Sequence, residues 1–177
     1  MKKIILFLLV FSGSAVLAQD AKEMLRKVNS KFSKVHDYEA DIHIKADIPF
    51  IKMLPVNAKI YFKQPYKMRI KSKGIAILPR QGYDQMFKAL ADTNSYVAVY
   101  QGKEQSDQSE IVNIIPVSDT SDLVLGRFWI DRKNDIIIRS QITSKSNGTI
   151  QTGYFYGDQK ELALPDSLVV TIEIKKF

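Results

Sequence analysis

Cysteine is absent from this sequence, and histidine is nearly so. The 177 residues include no cysteine and only two histidines, His36 and His43. A structural zinc site therefore has almost no ligands to draw on, because such sites use cysteine and histidine side chains, and no disulfide can hold the fold together. We predict no metal site and no cofactor, and we expect hydrophobic burial to stabilise the protein.

Motifs for catalysis are also missing. No G-x-S-x-G motif accompanies the two histidines, and the glycines are scattered singly among turns instead of forming a phosphate-binding loop. Asp131 and Asp135 make a pair of carboxylates, but they flank a predicted turn, where acidic residues are common. We therefore predict that the protein has no catalytic residues and is not an enzyme.

The first residues have the features of a secretory signal peptide. Two lysines precede an apolar run over residues 4–11, and small residues follow up to Ala18. The run is shorter than the ~20 apolar residues of a transmembrane helix. We expect cleavage after Ala18, which makes residues 1–18 the signal peptide and residues 19–177 one exported domain.

The net charge is basic. It is +7 for the whole sequence, and without the two lysines of the signal peptide the remaining 24 basic and 19 acidic residues give +5. Such an excess suits nucleic acid or anionic lipid headgroups. Because exported proteins rarely meet nucleic acid, we expect no nucleic-acid partner, and anionic surfaces of the cell envelope stay an open alternative.

One long segment follows the helical period. Between Asp20 and Val35, apolar residues recur at spacings of three and four, which predicts an amphipathic helix with Asp20 as its N-cap. The narrow apolar stripe is typical of a helix that packs on a sheet and not of a membrane-binding helix. A second, short helix is predicted over residues 84–91.

Most of the remaining sequence alternates with a period of two, which predicts half-buried antiparallel strands. Turn residues separate the strands, and Asn147-Gly148 is the strongest hairpin signal. With so few helices, the pattern favours a mainly β, α+β fold built as a curved antiparallel meander. The strands are predicted at residues 40–47, 58–63, 67–73, 96–101, 110–117, 123–131, 136–143, 149–156 and 168–175.

The predicted strands share one wide apolar face. A curved sheet with such a face forms a lipid pocket where helices fill it incompletely, and the open alternative is that the first helix fills it as an ordinary core. The apolar connection at residues 48–55 is expected to be a mobile lip of the pocket, or else to fold under the core. The residues predicted to contact lipid are Ile42, Ile44, Ile60, Phe62, Met68, Ile70, Ile138 and Tyr154.

The opposite face of the third strand is basic. In the stretch YFKQPYKMRIKSKG, alternation places Lys67, Arg69, Lys71 and Lys73 together on the outward side of the sheet. We predict that these residues dock the protein onto an anionic surface. The alternative is an ordinary solvated surface, on which exposed charges contribute little.

Three stretches resemble the LolA/LolB-like family of periplasmic lipoprotein carriers and the related outer-membrane lipoprotein-sorting proteins. They are EMLRKVNSKFSKVHDYEADI, IYFKQPYKMRIKS and RFWIDRKNDIIIRSQITSKSNGTI. The resemblance implies a half-open, curved antiparallel β-barrel wrapped around the N-terminal helix, with a hydrophobic cavity for lipoprotein acyl chains and no covalent chemistry. Gln64 departs from the pattern, because well-known carriers have at this position an arginine that helps to latch a lid.

We therefore expect a periplasmic carrier that binds lipoprotein acyl chains, or another lipid, and moves them toward the outer membrane during outer-membrane biogenesis. An inner-membrane donor complex and an outer-membrane acceptor would be its partners. Two alternatives stay open. One is a non-transporting sensor, regulator or lipid-binding protein of the same fold, and the other is an exported structural protein whose barrel is filled.

Overall fold

The structure, a computed structural model, describes residues 13–45, 54–65, 67–72, 90–146 and 148–173. These ranges contain one long α-helix, nine β-strands and one short 3₁₀ helix, which spans Lys160–Leu162. The helix and strands, in chain order, are α1 (Gly13–Phe32), β1 (Asp37–Ile44), β2 (Val56–Lys63), β3 (Lys67–Ser72), β4 (Tyr96–Lys103), β5 (Glu110–Pro116), β6 (Leu123–Asp131), β7 (Ile136–Ser144), β8 (Gly148–Phe155) and β9 (Ser167–Glu173).

Helix α1 both begins and ends earlier than the sequence predicts. It starts at Gly13, so Asp20 lies within the helix and the prediction of Asp20 as N-cap is wrong. The Asp20 carboxylate instead accepts two hydrogen bonds from Arg132, at 2.9 and 3.1 Å. The helix ends at Phe32, and the amide of Val35 donates to the Phe32 carbonyl at 3.0 Å in a tighter closing turn.

The strand predictions are confirmed to within three residues at the strand ends that the structure describes. The strands form two antiparallel meanders: a small sheet in the order β1-β2-β3 and a large sheet in the order β4-β5-β6-β7-β8-β9. Gly148 has a φ of 71° at the predicted hairpin between β7 and β8, a conformation that favours glycine. Of the predicted second helix, only Leu90 and Ala91 fall within the described residues, and both are helical.

The main core lies between α1 and the large sheet. Ala21 and Leu25 on the inner side of α1 are both 0% exposed, and the helix lies across β4. This burial is the largest stabilising contribution that the fold offers, since each fully buried aliphatic side chain is worth about 1.5–3 kcal/mol. The core residues are Ala21, Met24, Leu25, Val28, Leu90, Tyr96, Ala98, Val112, Ile114, Leu123, Phe128, Ile130, Ile137, Ile142 and Tyr154.

A second, smaller cluster joins the small sheet to the end of α1. It consists of Phe32, Val35 and Phe62, with Tyr38, Leu162 and Leu164 packed around them. In the described residues the two meanders form a curved, open antiparallel arrangement with one long helix, and not a closed barrel. The predicted fold class is therefore confirmed.

Candidate functional site

The small sheet has one apolar and one charged face, as the alternation in its sequence predicts. Its register places Ala40, Ile60 and Ile70 side by side in one row, and Tyr38, Phe62 and Met68 in the next. We call this side the apolar face. Its described members are Tyr38, Ala40, Ile42, Ile44, Val56, Ala58, Ile60, Phe62, Met68, Ile70 and, at its exposed edge, Ser72.

One end of the apolar face is filled by aromatic side chains. Phe62 is 5% exposed, and its ring lies 5.2 Å from the ring of Phe32, measured between centroids, and 5.2 Å from that of Tyr38. Phe32 belongs to the last turn of α1, so these contacts fix the small sheet to the helix. Phe62, one of the predicted lipid contacts, is thus part of a packed plug at this end.

Beyond that plug, the apolar face is only partly covered. Ala58 is buried, whereas Ile42, Ile44, Ile60, Met68 and Ile70 are all half-buried. These five are among the residues predicted to contact lipid, and the structure brings them together on one surface. A half-buried row of aliphatic side chains leaves apolar surface area exposed to water. A bound apolar ligand would bury that area, which is favourable.

The other two predicted lipid contacts lie on the large sheet, away from the apolar face. Tyr154 is 7% exposed in the main core, and its hydroxyl shares a hydrogen bond of 2.9 Å with that of Ser140. Burial raises the pKa of Tyr154 to about 12. This side chain is therefore a structural member of the core.

The placement of Ile138 corrects the sequence analysis. The register between β6 and β7 shifts at Trp129/Ile130, so Ile130 pairs with Ile137 and Trp129 pairs with Arg139. The shift is a β-bulge, which adds an unpaired residue to one strand and breaks the strict alternation of faces. As a result Ile137 joins the main core, and Ile138 stays half-buried outside it.

Gln64 connects the β2–β3 turn to the segment that follows α1. Its backbone amide donates to the carbonyl of His36 at 2.9 Å, and its side-chain Nε2 donates to the carbonyl of Val35 at 3.2 Å. Gln64 thus holds the turn against the plug. The predicted lip at residues 48–55 lies mostly outside the described residues, where only Leu54, 86% exposed, and the exposed Pro55 can be placed.

The charged face lies on the other side of the same sheet. Its strand β1 contributes acidic residues, and strands β2 and β3 contribute basic ones, which the register sets side by side. An open depression of about 700 Å³ lies at the end of this face nearest the β2–β3 turn. The residues lining it are Asp37, Tyr38, Glu39, Tyr61, Phe62, Lys63, Lys67, Met68 and Arg69.

Ion pairs on the charged face are concentrated on Lys59. Its Nζ contacts Glu39 and lies 3.5 Å from Asp41. The hydrogen bond that Lys59 donates to Glu39, followed by the charge of Asp41, raises the pKa of Lys59 above its ordinary value. Lys67, Arg69 and Lys71 are exposed on this face, and Lys73 lies outside the described residues.

The remaining candidates for chemistry have ordinary structural partners. Nδ1 of His43 lies 2.8 Å from Oδ1 of Asn57. Burial alone would raise the pKa of the Asp131 carboxyl, but hydrogen bonds from Asn134 and from the Lys133 amide outweigh burial and hold the pKa below its usual value. Asp131 therefore acts as a turn former. Within the ranges that the structure describes, no three metal-binding side chains cluster together.

Sequence analysis did not find every residue that shapes the site. Leu162 and Leu164 belong to the plug although they lie between the last two predicted strands, and the short pattern Leu-x-Leu before Pro165 was the available signal. The sequence analysis also did not name the acidic row of Asp37, Glu39 and Asp41 beside the basic strands. The alternation of acidic residues along β1 could have predicted this row.

No helix in the described part of the chain is long and apolar enough to span a bilayer.

Comparisons with known proteins identify the fold. No family model and no curated protein matches the sequence, but solved structures do. A LolA superfamily protein from Nitrosomonas europaea aligns with a TM-score of 0.52 and 11% identity, covering 88% of this chain and 86% of its own. A DUF1329 family protein from Desulfovibrio piger aligns with a TM-score of 0.51 and 10% identity, covering 77% of this chain and 78% of its own. The chain therefore has a LolA-like fold.

Proposed function

We propose that the mature protein, beginning at Gln19, is a periplasmic carrier that binds lipoprotein acyl chains and moves them toward the outer membrane. The observation that carries the proposal is the incomplete cover of the apolar face, at Ile42, Ile60 and Ile70 in particular. In the same molecule α1 covers much of the apolar face of the large sheet, where Ile114 and Ile130 are buried, while Leu168 and Val170 on the edge strand β9 stay exposed. We assign the binding surface to the small sheet, where several half-buried aliphatic side chains lie side by side.

The chemistry of the apolar face selects an apolar ligand. Its described side chains are aliphatic or aromatic, apart from the exposed Ser72, and the phenol of Tyr38 adds a second polar group. Each methylene that leaves water gains about 0.8 kcal/mol, and such a surface offers no charged partner to a polar ligand. The affinity for an acyl chain would therefore depend on the apolar area that it buries and not on specific polar contacts. Such binding suits a carrier with many cargoes.

The fold supports the same assignment. One similar structure is described as a LolA superfamily protein, and the resemblance found in the sequence is to carriers of this kind. We extend that role to this chain, with an inner-membrane donor complex and an outer-membrane acceptor as partners. In this role the protein acts by binding and release, without covalent chemistry.

Native mass spectrometry of the purified mature protein tests lipid binding directly. We expect lipid adducts on the parent protein and their loss in Ile70→Lys, because a lysine there places a charge beside the acyl chain. Val124→Lys is the matched control, since Val124 is 45% exposed on the large sheet. Adducts that persist in Ile70→Lys, or that disappear equally in both variants, would contradict the proposed site.

Transfer between two vesicle populations separates a carrier from a non-transporting sensor. A fluorescent diacylated peptide is placed in donor vesicles, and its appearance in acceptor vesicles is followed over time. We expect the parent protein to accelerate transfer in proportion to its concentration, and Ile70→Lys to have little effect. Stoichiometric binding without transfer would instead identify a sensor or regulator of the same fold.

A further inference from the structure

We infer that the charged face of the small sheet docks the protein onto the anionic headgroups of a lipid bilayer. This inference goes beyond the proposed function, because it concerns the opposite face of the sheet and does not depend on which ligand the apolar face binds. Three observations support it: the register of the basic residues, the uneven distribution of their acidic neighbours, and the composition of the face.

The register brings basic side chains next to one another. Lys63 pairs directly with Lys67, and Lys59 pairs with Lys71, with Arg69 between the two pairs and opposite Tyr61. Like charges that face each other across an antiparallel ladder are destabilising. Neighbouring positions on one face are about 7 Å apart along a strand, and strands are about 4.8 Å apart, so these cations form one compact patch.

The acidic residues of β1 neutralise this patch on one side only. Lys59 contacts both Glu39 and Asp41, and the third acidic residue, Asp37, lies opposite Lys63 in the register. In the described ranges no ion pair forms with Lys63, Lys67, Arg69 or Lys71. The Nζ of Lys71 lies 5.2 Å from the centroid of the Tyr61 ring. The positive charge is therefore concentrated on β3 and the β2–β3 turn.

The composition of the patch favours a bilayer over an acidic protein. Protein interfaces have a core enriched in aromatic and apolar side chains and depleted in lysine, whereas this patch is mostly lysine with one arginine and one tyrosine. Each basic residue near an anionic lipid surface contributes about 1 kcal/mol, without requiring a shaped partner. Long lysine side chains keep their ammonium groups in the headgroup layer while their methylenes lie along the sheet.

Vesicle flotation measures the docking. The mature protein is mixed with vesicles of phosphatidylglycerol and phosphatidylcholine in equal parts, or of phosphatidylcholine alone. We expect binding to the anionic vesicles only, and weaker binding as salt rises, because exposed charges are screened beyond ~10 Å at 0.1 M ionic strength. The triple variant Lys67→Gln, Arg69→Gln, Lys71→Gln should bind roughly a hundredfold more weakly.

A second triple variant controls for net charge. Lys22→Gln, Lys27→Gln, Lys133→Gln removes the same charge from α1 and from the β6–β7 turn, outside the patch. We expect this variant to bind anionic vesicles within a few-fold of the parent. An equal loss in both variants would overturn the inference in favour of a general charge effect, as would equal binding to phosphatidylcholine or binding that salt does not weaken.

Poly-L-glutamate tests the alternative of an acidic protein partner. If it displaces the protein from anionic vesicles at concentrations far below those of the competing lipid, the patch recognises acidic polypeptide and the inference fails. Both triple variants should keep the lipid adducts detected by native mass spectrometry. Loss of docking and loss of acyl-chain binding are thus distinguishable outcomes.

Discussion

On the large sheet, Ile114 and Ile130 are sealed beneath α1, whereas on the small sheet Ile60 and Ile70 remain half-buried. The difference follows from the position of the helix, which lies across β4 and contacts the small sheet through Phe32 in its last turn. The same residue type, on strands with the same alternation, thus stabilises the fold in one region and leaves an apolar surface in the other.

Phe62→Asp should have the largest effect, because it breaks the plug that joins the small sheet to the end of α1. A carboxylate among the rings of Phe32 and Tyr38 would be desolvated without a partner, at a cost of several kcal/mol. Urea unfolding of the variant measures this loss. Phe155→Asp is the matched control, since Phe155 is 56% exposed, and it should change the unfolding free energy by about 0.5 kcal/mol or less.

A pair of Ile→Ala substitutions compares the two regions directly. Ile130→Ala, in the main core, should lower the free energy of unfolding by about 2–5 kcal/mol. Ile70→Ala, half-buried on the apolar face, should lower it by about 1 kcal/mol or less. Thermal unfolding of both variants gives the comparison. Equal losses would mean that the small sheet is as well filled as the large one.

Tyr154→Phe tests the polar contact inside the sealed region. Removal of its hydrogen bond to Ser140 should cost about 1 kcal/mol at neutral pH. Burial raises the pKa of Tyr154 from 10.0 to about 12, so above pH ~10 the unfolded chain binds fewer protons than the folded one and stability falls. Stability measured from neutral pH to about pH 12 should fall less steeply in Tyr154→Phe than in the parent.

The smallest effect is expected at the edge of the sealed region. Arg132→Gln removes the paired hydrogen bonds to Asp20 that connect α1 to the β6–β7 turn. Because both side chains are partly exposed, the loss should be at most about 1 kcal/mol and should shrink with added salt. A loss that high salt leaves unchanged would indicate a packing contribution instead.

Alternation and turn residues were enough to place the strands and the faces of the small sheet. For example, β2 and β3 pair without a bulge, so a period of two correctly places Ile60 on the apolar face and Lys67 on the charged face. Ile138 was misplaced because a bulge arises from the pairing of β7 with β6, which the sequence of β7 alone does not contain. The start of α1 was missed because an apolar leader and a helix have overlapping patterns.

Contacts between distant segments were the least predictable part of the site. The neutralisation of Lys59 depends on which strand lies beside β2, and the plug brings together residues from the end of α1, from β2 and from the segment around Leu162. Helix α1 covers the apolar face of the large sheet more fully than that of the small sheet because of where the helix lies. The periodicity of the sequence does not determine that position.

The central claim is that the apolar face of the small sheet, and not the main core, receives the acyl chain. Methyl NMR of isoleucine-labelled mature protein, titrated with palmitate, observes both regions in one experiment. We predict shifts for the methyl groups of Ile42, Ile44, Ile60 and Ile70, and none for those of Ile114, Ile130, Ile137 and Ile142. Shifts confined to the second set, or absent from both sets at saturating palmitate, would contradict the account.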